Sequence, residues 1–194
     1  MNRREALKGL GLSLGYVVAT PTVLSMLQSC ITEEALWNPI FLSVEQGKIL
    51  KTLVDLILPK TDATPGALDV NVPEFIDLYI AKTASDKKKV SFKKGLDAIM
   101  QEMGVLNKIN TDVNKESCDI LLAKYLRSTP EQQKAFTKKE KLVYNTLKEL
   151  RDRAVWAYKT SEEIGKNVLA YDPIPGKQQG CISLEETRGK AWSL

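Results

Sequence analysis

The chain has 194 residues, of which 28 are basic, 24 acidic and none histidine. A net charge of +4 does not mark a nucleic-acid binder, and without an imidazole there is no Ser-His-Asp or Cys-His catalytic set, no histidine-ligated zinc and no haem with a histidine axial ligand. The three cysteines form no CxxC pair, which argues against an iron–sulfur cluster or a cysteine-rich zinc site, and neither GxGxxG nor GxxxxGK[ST] is present.

The chain opens MNRREALKGLGLSLGYVVATPTVLSMLQSC. Arg3 and Arg4 form a twin-arginine pair, and no residue from Gly9 to Leu27 is charged. A basic start followed by an apolar run is the pattern of an export signal. Gly11, Gly15 and Pro21 interrupt the run. Its weak hydrophobicity suits twin-arginine export better than a membrane span, which needs roughly 20 strongly apolar residues. The ending LQSC resembles a lipobox and predicts cleavage before Cys30 and lipidation of that thiol. Acyl chains bury methylenes worth ~0.8 kcal/mol each, so they tether a protein without spanning the bilayer. Residues 1–29 therefore read as a twin-arginine-type lipoprotein signal, 30–42 as a tether and 43–194 as one helical domain, held at the membrane in the periplasm or cell envelope. Twin-arginine export carries folded cargo: a protein folded around a cofactor, or one docked to a partner that holds it. The missing cofactor fingerprints favour the folded partner.

Ser43, with Gln46 three residues on, predicts a capped helix start. Ile49, Leu50, Leu53, Val54, Leu56 and Ile57 follow at helical spacing, and Pro59 ends the run. LPKTDATPGALD (58–69) then breaks the pattern with a Pro-Gly turn between acids. Asn71 is placed to cap a second helix, with Pro73 in its first turn and Phe75, Ile76, Tyr79 and Ile80 on one face. The basic stretch DKKKVSFKK (86–94) reads as a solvated face. A third helix carries Phe92, Leu96, Ile99, Met100 and Met103, with Gly104 at its end. A fourth spans about residues 115–127 and presents Ile120, Leu121 and Leu122. STPEQQ opens a fifth, expected to run unbroken to about Tyr158 with Leu142, Val143, Leu147, Leu150, Ala154 and Val155 inward. Strand-like alternation is almost absent. The prediction is an all-α fold, an irregular helical bundle of about five helices with two long Pro/Gly loops.

The second loop is YDPIPGKQQGC (171–181). Pro173 and Pro175 fix φ and lower the entropy cost of docking an extended segment. Gly176 and Gly180 permit turns closed to other residues. Tyr171 and the nearby Trp192 suit interface anchors. In an oxidising compartment Cys118 and Cys181 are either a disulfide or two separate thiols. Asp62, Asp69 and Asp172 offer carboxylates for a stand-alone enzyme, but they are far apart in sequence and sit in turn-like contexts.

LVDLILPKTDATPGALDVNVPEFID (53–77) resembles the signature of the gluconate 2-dehydrogenase subunit 3 family, and YDPIPGKQQGC resembles that family's closing motif. The resemblance implies a small non-catalytic subunit without a cofactor of its own. Its partner would be a large subunit of the glucose–methanol–choline flavoprotein type, which binds FAD and oxidises a sugar or polyol. A cytochrome c often takes the electrons in such complexes. The small subunit would help the large one mature and supply the export signal for both. Docking is expected through Asp62, Pro65 and Gly66 in the first loop and Tyr171, Asp172, Pro173, Pro175, Gly176 and Gly180 in the second. The lipobox departs from the family's usual pattern and would make this chain an anchor as well. The alternative is a lipid-anchored envelope binding or scaffold module with no enzyme partner. The mature N-terminus is expected to be an acylated Cys30. Intact-mass measurement on the membrane fraction checks this, and a chain retaining residues 1–29 would contradict it.

Overall fold

Ser43 starts the first helix through a reciprocal pair of bonds. Its hydroxyl accepts the Gln46 N–H at 3.2 Å, and the Gln46 side chain accepts the Ser43 N–H at 3.2 Å. The computed structural model describes residues 37–106, 114–174, 176, 177 and 180–193. Arg3, Arg4, Cys30 and Pro175 lie outside the described residues. Met1–Trp37 and Asn38–Leu194 are separate units, and all described helices belong to the second. They are α1 (Val44–Ile57), α2 (Val72–Thr83), α3 (Asp86–Leu106), α4 (Lys115–Leu126), α5 (Pro130–Ala135) and α6 (Lys138–Thr160), followed by a π-helical turn, Ile164–Val168. The fold is all-α. The described residues hold an isolated bridge between Ala170 and Trp192 but no strand.

Helix α6 packs against α1, α2, α3 and α4. Its inward stripe, Val143, Leu147, Leu150 and Ala154, is fully buried. The helices that pack on α6 bury Leu96 and Ile99 of α3, Leu50 and Leu53 of α1, Leu121 and Tyr125 of α4, and Ile76 and Ile80 of α2. Helices α3 and α6 meet closely at one point: a Cβ on Gly95 would fall 2.0 Å from the Thr146 Oγ1. Glycine is required there by space rather than by backbone angle.

Several expectations need correction. The fifth helix is two helices, because Thr137 starts α6 anew. Its hydroxyl accepts the Glu140 N–H at 3.3 Å while the Glu140 carboxylate accepts the Thr137 N–H at 3.0 Å, a second capping box shortly after the one that Thr129 forms in STPEQQ. The bend turns Phe136 between Tyr125 and Tyr144, with ring centroids 5.4 and 5.8 Å away. Gly104 does not end α3, which continues to Leu106. Asn71 stands at the start of α2 in the left-handed region (φ 54°), and its side chain makes no capping bond. Ile120 and Val155 are exposed, and in α4 the buried positions go to Cys118, Leu121, Leu122 and Tyr125.

Residues 40–42, at the end of the predicted tether, are fixed by one side chain. Asp77 of α2 is 1% exposed, yet its carboxylate is well supplied with donors. Its Oδ2 accepts the Ile40 N–H at 2.6 Å, its Oδ1 accepts the Leu42 N–H at 2.9 Å, and the Phe41 N–H is shared between both at 3.2 and 3.3 Å. Successive backbone N–H groups converging on one anion compensate its lost hydration. The Phe41 ring lies under the Lys93 ammonium at 4.3 Å, and the Gln46 amide donates to Asp97 at 2.7 Å, so the same stretch is also tied to α3. Asp77→Ala is expected to cost about 3 kcal/mol, since it strands three buried or half-buried donors. Asp77→Asn keeps one acceptor oxygen and should cost about half as much. Urea denaturation of the two variants checks the order.

Candidate functional site

The first loop is built inward. Thr61 and Thr64 close its tip: the Thr61 N–H donates to the Thr64 carbonyl at 3.0 Å, and the Thr64 N–H donates to the Thr61 hydroxyl at 3.0 Å. Asp62 sits exposed on this tip. The Ala67 N–H returns to the Leu58 carbonyl at 2.9 Å, sealing the loop base. Asp69 then reaches back, accepting the Gly66 N–H at 2.8 Å and the Lys60 ammonium at 3.2 Å. That N–H, and secondarily the ammonium, hold the Asp69 carboxyl below the usual carboxylate range. Gly66 is buried, and a Cβ there would lie 2.6 Å from the Lys60 backbone nitrogen. The Tyr158 hydroxyl of α6 donates to the Pro65 carbonyl at 2.7 Å. Pro65 and Gly66 thus serve the loop's own geometry, while Asp62 faces outward.

The second loop is open. Ala170 joins the C-terminal tail through two bonds of 2.8 Å, donating to the Ala191 carbonyl and accepting the Ser193 N–H. Beyond it Tyr171, Asp172, Pro173 and Ile174 are exposed, Ile174 by 84%. The Asp172 carboxylate accepts the Ile174 N–H at 3.3 Å, a local turn bond. Gly176 adopts φ 54°, the left-handed conformation that favours glycine. Gly180 is exposed with nothing within 4 Å of a built Cβ. Tyr171, Asp172 and Trp192 line a cleft with Lys166, Arg188 and Lys190. Glu163 lines a cavity with the first loop, and Lys166 and Asn167 line the cleft of the second, so the segment around the π-helical turn borders both.

Cys118 and Cys181 are both free, and the bridge entertained from the sequence is absent. Cys118 is fully buried between α3 and α4, its Sγ 3.8 Å from the Met103 Sδ, and burial pushes its thiol up to about 11. Cys181 lies exposed in the tail. The core packing of α4 claims one thiol and leaves the other in solvent.

A third feature went unread in the sequence. Phe75 and Tyr79 of α2 stack at 5.8 Å, and Trp156 of α6 lies 5.5 Å from the first ring and 5.1 Å from the second. Phe75 and Trp156 are exposed. The sequence pattern placed Phe75 and Tyr79 on one face with Ile76 and Ile80, whereas only the two isoleucines are buried. The available signal was Trp156, which falls off the Val143–Leu147–Leu150–Ala154 stripe of its own helix. Among the described residues no group of three acidic, cysteine or histidine side chains could hold a metal ion, and no helix is long and apolar enough to cross a membrane.

A family model described as gluconate 2-dehydrogenase subunit 3 matches residues 44–176. The chain belongs to this family. No curated protein and no solved structure matches it. The matched span holds the six α-helices of the described residues, the first loop and the three-ring cluster, and it ends inside the second loop. Gly180, Cys181 and Trp192 therefore lie beyond what the subunit 3 match covers. In the folded protein a thiol reagent is expected to label Cys181 and leave Cys118 untouched. Denaturation should expose Cys118 without any reductant, and mass spectrometry of the labelled peptides reads both outcomes.

Proposed function

We propose that this chain is a non-catalytic small subunit that escorts, matures and anchors an FAD-dependent sugar or polyol dehydrogenase in the cell envelope. The observation that carries the reading is the subunit 3 family match across residues 44–176. The carboxylates that could have served a separate enzyme support it too. Asp69 is engaged by Gly66 and Lys60, and Asp172 closes a local turn. The chemistry of hydroxyl oxidation then belongs to the large subunit and its FAD, with a cytochrome c as a fitting electron acceptor. This chain contributes a pre-folded surface. Its first loop is held by hydrogen bonds from within, so a partner contacting the Asp62 tip has little loop entropy left to remove. The exposed segment Tyr171–Ile174 offers a second, less constrained contact.

The twin-arginine pair and Cys30 complete the role, with the first directing export of the folded pair and the second holding it at the membrane. Replacing Arg3 and Arg4 with lysine is expected to leave the large subunit in the cytoplasm together with this chain. Deleting the chain should remove most sugar-dependent dye reduction from the envelope fraction and lower its FAD content. Full activity, correct location and normal FAD content without the chain would overturn the reading.

A further inference from the structure

The stretch from Lys82 to Lys94 holds six lysines and one acid, Asp86. Residues 30–194 together hold 25 basic and 23 acidic residues, so outside this stretch the count is 19 against 22. The excess positive charge is therefore gathered at the end of α2 and the start of α3. Lys82, Lys87, Lys88 and Lys94 are exposed, and among the described residues neither they nor Lys89 has an ion-pair partner. Lys87, Val90 and Lys94 follow at i, i+3 and i+7 and share one exposed side, Val90 being 52% exposed. The next acid along α3, Asp97, already accepts the Gln46 amide at 2.7 Å. A charge run is by itself only a solvated face. What distinguishes this one is its place beside the entering chain. The Lys93 ammonium lies 4.3 Å from the Phe41 ring centre, and Asp77 holds the flanking Ile40 and Leu42. Ten residues separate Ile40 from Cys30 and span at most about 35 Å, while a domain of this size is about 40 Å across. A bilayer that holds acyl chains on Cys30 is thus kept nearest to the side carrying Phe41 and Lys93.

We propose that the basic start of α3, with Val90 among its lysines, lies against an anionic phospholipid surface and orients the anchored domain on the membrane. The inference rests on the lipid-anchor part of the proposed function and adds the surface that meets the bilayer. Acyl chains on Cys30 fix one point and leave the domain free to turn. A polybasic patch is a second membrane signal, and each lysine brought to an anionic surface strengthens binding about fivefold. An exposed valine between the lysines suits the apolar boundary beneath the headgroups. The far end of α3 supplies a contrast within the same molecule. Lys124 bridges Glu102 of α3 and Glu140 of α6 at 2.9 and 3.4 Å. The exposed Lys138, Lys139 and Lys141 at the start of α6 therefore lie toward the other end of α3, about 20 Å along it from Val90. They are equally basic in sequence but remote from the tether.

The test uses the mature chain purified from the envelope of its host, with its acylation recorded by intact mass. The chain is floated with vesicles of phosphatidylcholine alone, or with about one third phosphatidylglycerol, and treated with an amine-acetylating reagent. Mass spectrometry of the peptides then reads each lysine. On the anionic vesicles, labelling of Lys87, Lys88 and Lys94 is expected to fall about threefold or more, and about 0.5 M sodium chloride should abolish the difference. Labelling of Lys138, Lys139 and Lys141 should be the same on both vesicles. Lys87→Gln combined with Lys94→Gln should remove the protection of Lys88 while the melting temperature stays near that of the parent, since both side chains are exposed. A chain that floats on both vesicles with equal labelling of the α3 lysines overturns the proposal and leaves the lipid anchor standing. A chain that floats only on the anionic vesicles, with those lysines protected, upholds the basic surface and removes the anchor. Protection shared equally by the lysines of α3 and α6 is attraction without orientation and overturns the proposal. Protection by a co-purified large subunit in detergent without phospholipid makes the occupant a protein and overturns it as well.

Discussion

The buried carboxylate of Asp77 sets the frame for much of the molecule. It accepts the backbone N–H groups of residues 40, 41 and 42 and so fixes where the chain enters α1. The bonds also fix the rotation of α2 about its own axis, because Asp77 points toward the entering chain. With that rotation set, Ile76 and Ile80 fall into the core while Phe75 and Leu78 fall outside it. A charged group in this position would be prohibitive alone. Three converging donors make it tolerable, and their geometry makes it specific in a way that an apolar contact is not. One side chain thereby couples the point of entry to the orientation of the exposed rings.

Helix α6 carries that orientation across the molecule. The close approach of Gly95 to Thr146 sets how near α3 lies to α6, and the buried stripe from Val143 to Ala154 sets its rotation. Trp156 is then placed against Phe75 and Tyr79, and two residues later Tyr158 reaches the Pro65 carbonyl. The first loop and the aromatic face are thus supported by the same turn of one helix. Their relative position is a property of the core, and a partner touching both would meet a surface already arranged.

The sequence was legible where the governing signal is local. Ser43 with Gln46, and Thr129 with Gln132, sit three residues apart and mark helix starts in the structure as the pattern requires. The start at Thr137 has the same signal, but Thr129 is so close upstream that an apolar stripe read through it joined the two helices. Helix α5 buries no residue, so the periodicity of that stretch came from α6 alone. The face of α2 was harder. Phe75, Ile76, Tyr79 and Ile80 form adjacent rows on the helix, and how wide a stripe is buried depends on what packs against it. The role of Asp77 has no local signal, since its partners lie 35 to 37 residues away. The two cysteines show the same limit. Compartment chemistry allows a bridge, but packing placed one thiol in the core and the other in the tail. The Pro-Gly composition marked the first loop as a break between helices, yet it does not tell which atoms turn inward.

The remaining imbalance in the fold is concentrated in one place. The core is closely packed and its buried carboxylate has donors, while the α2–α6 groove holds a carboxylate oxygen without one and three rings at the surface. Asp77 and Glu74 lie three residues apart on the same helix and make an instructive pair. The first is satisfied from within the chain and orients the helix. The second lies beside it at the edge of the same face, with one buried oxygen that has no hydrogen-bond partner among the described residues. Burial alone therefore does not decide what a carboxylate costs this helix: the donors brought to it by neighbouring backbone do, and only Asp77 has three of them.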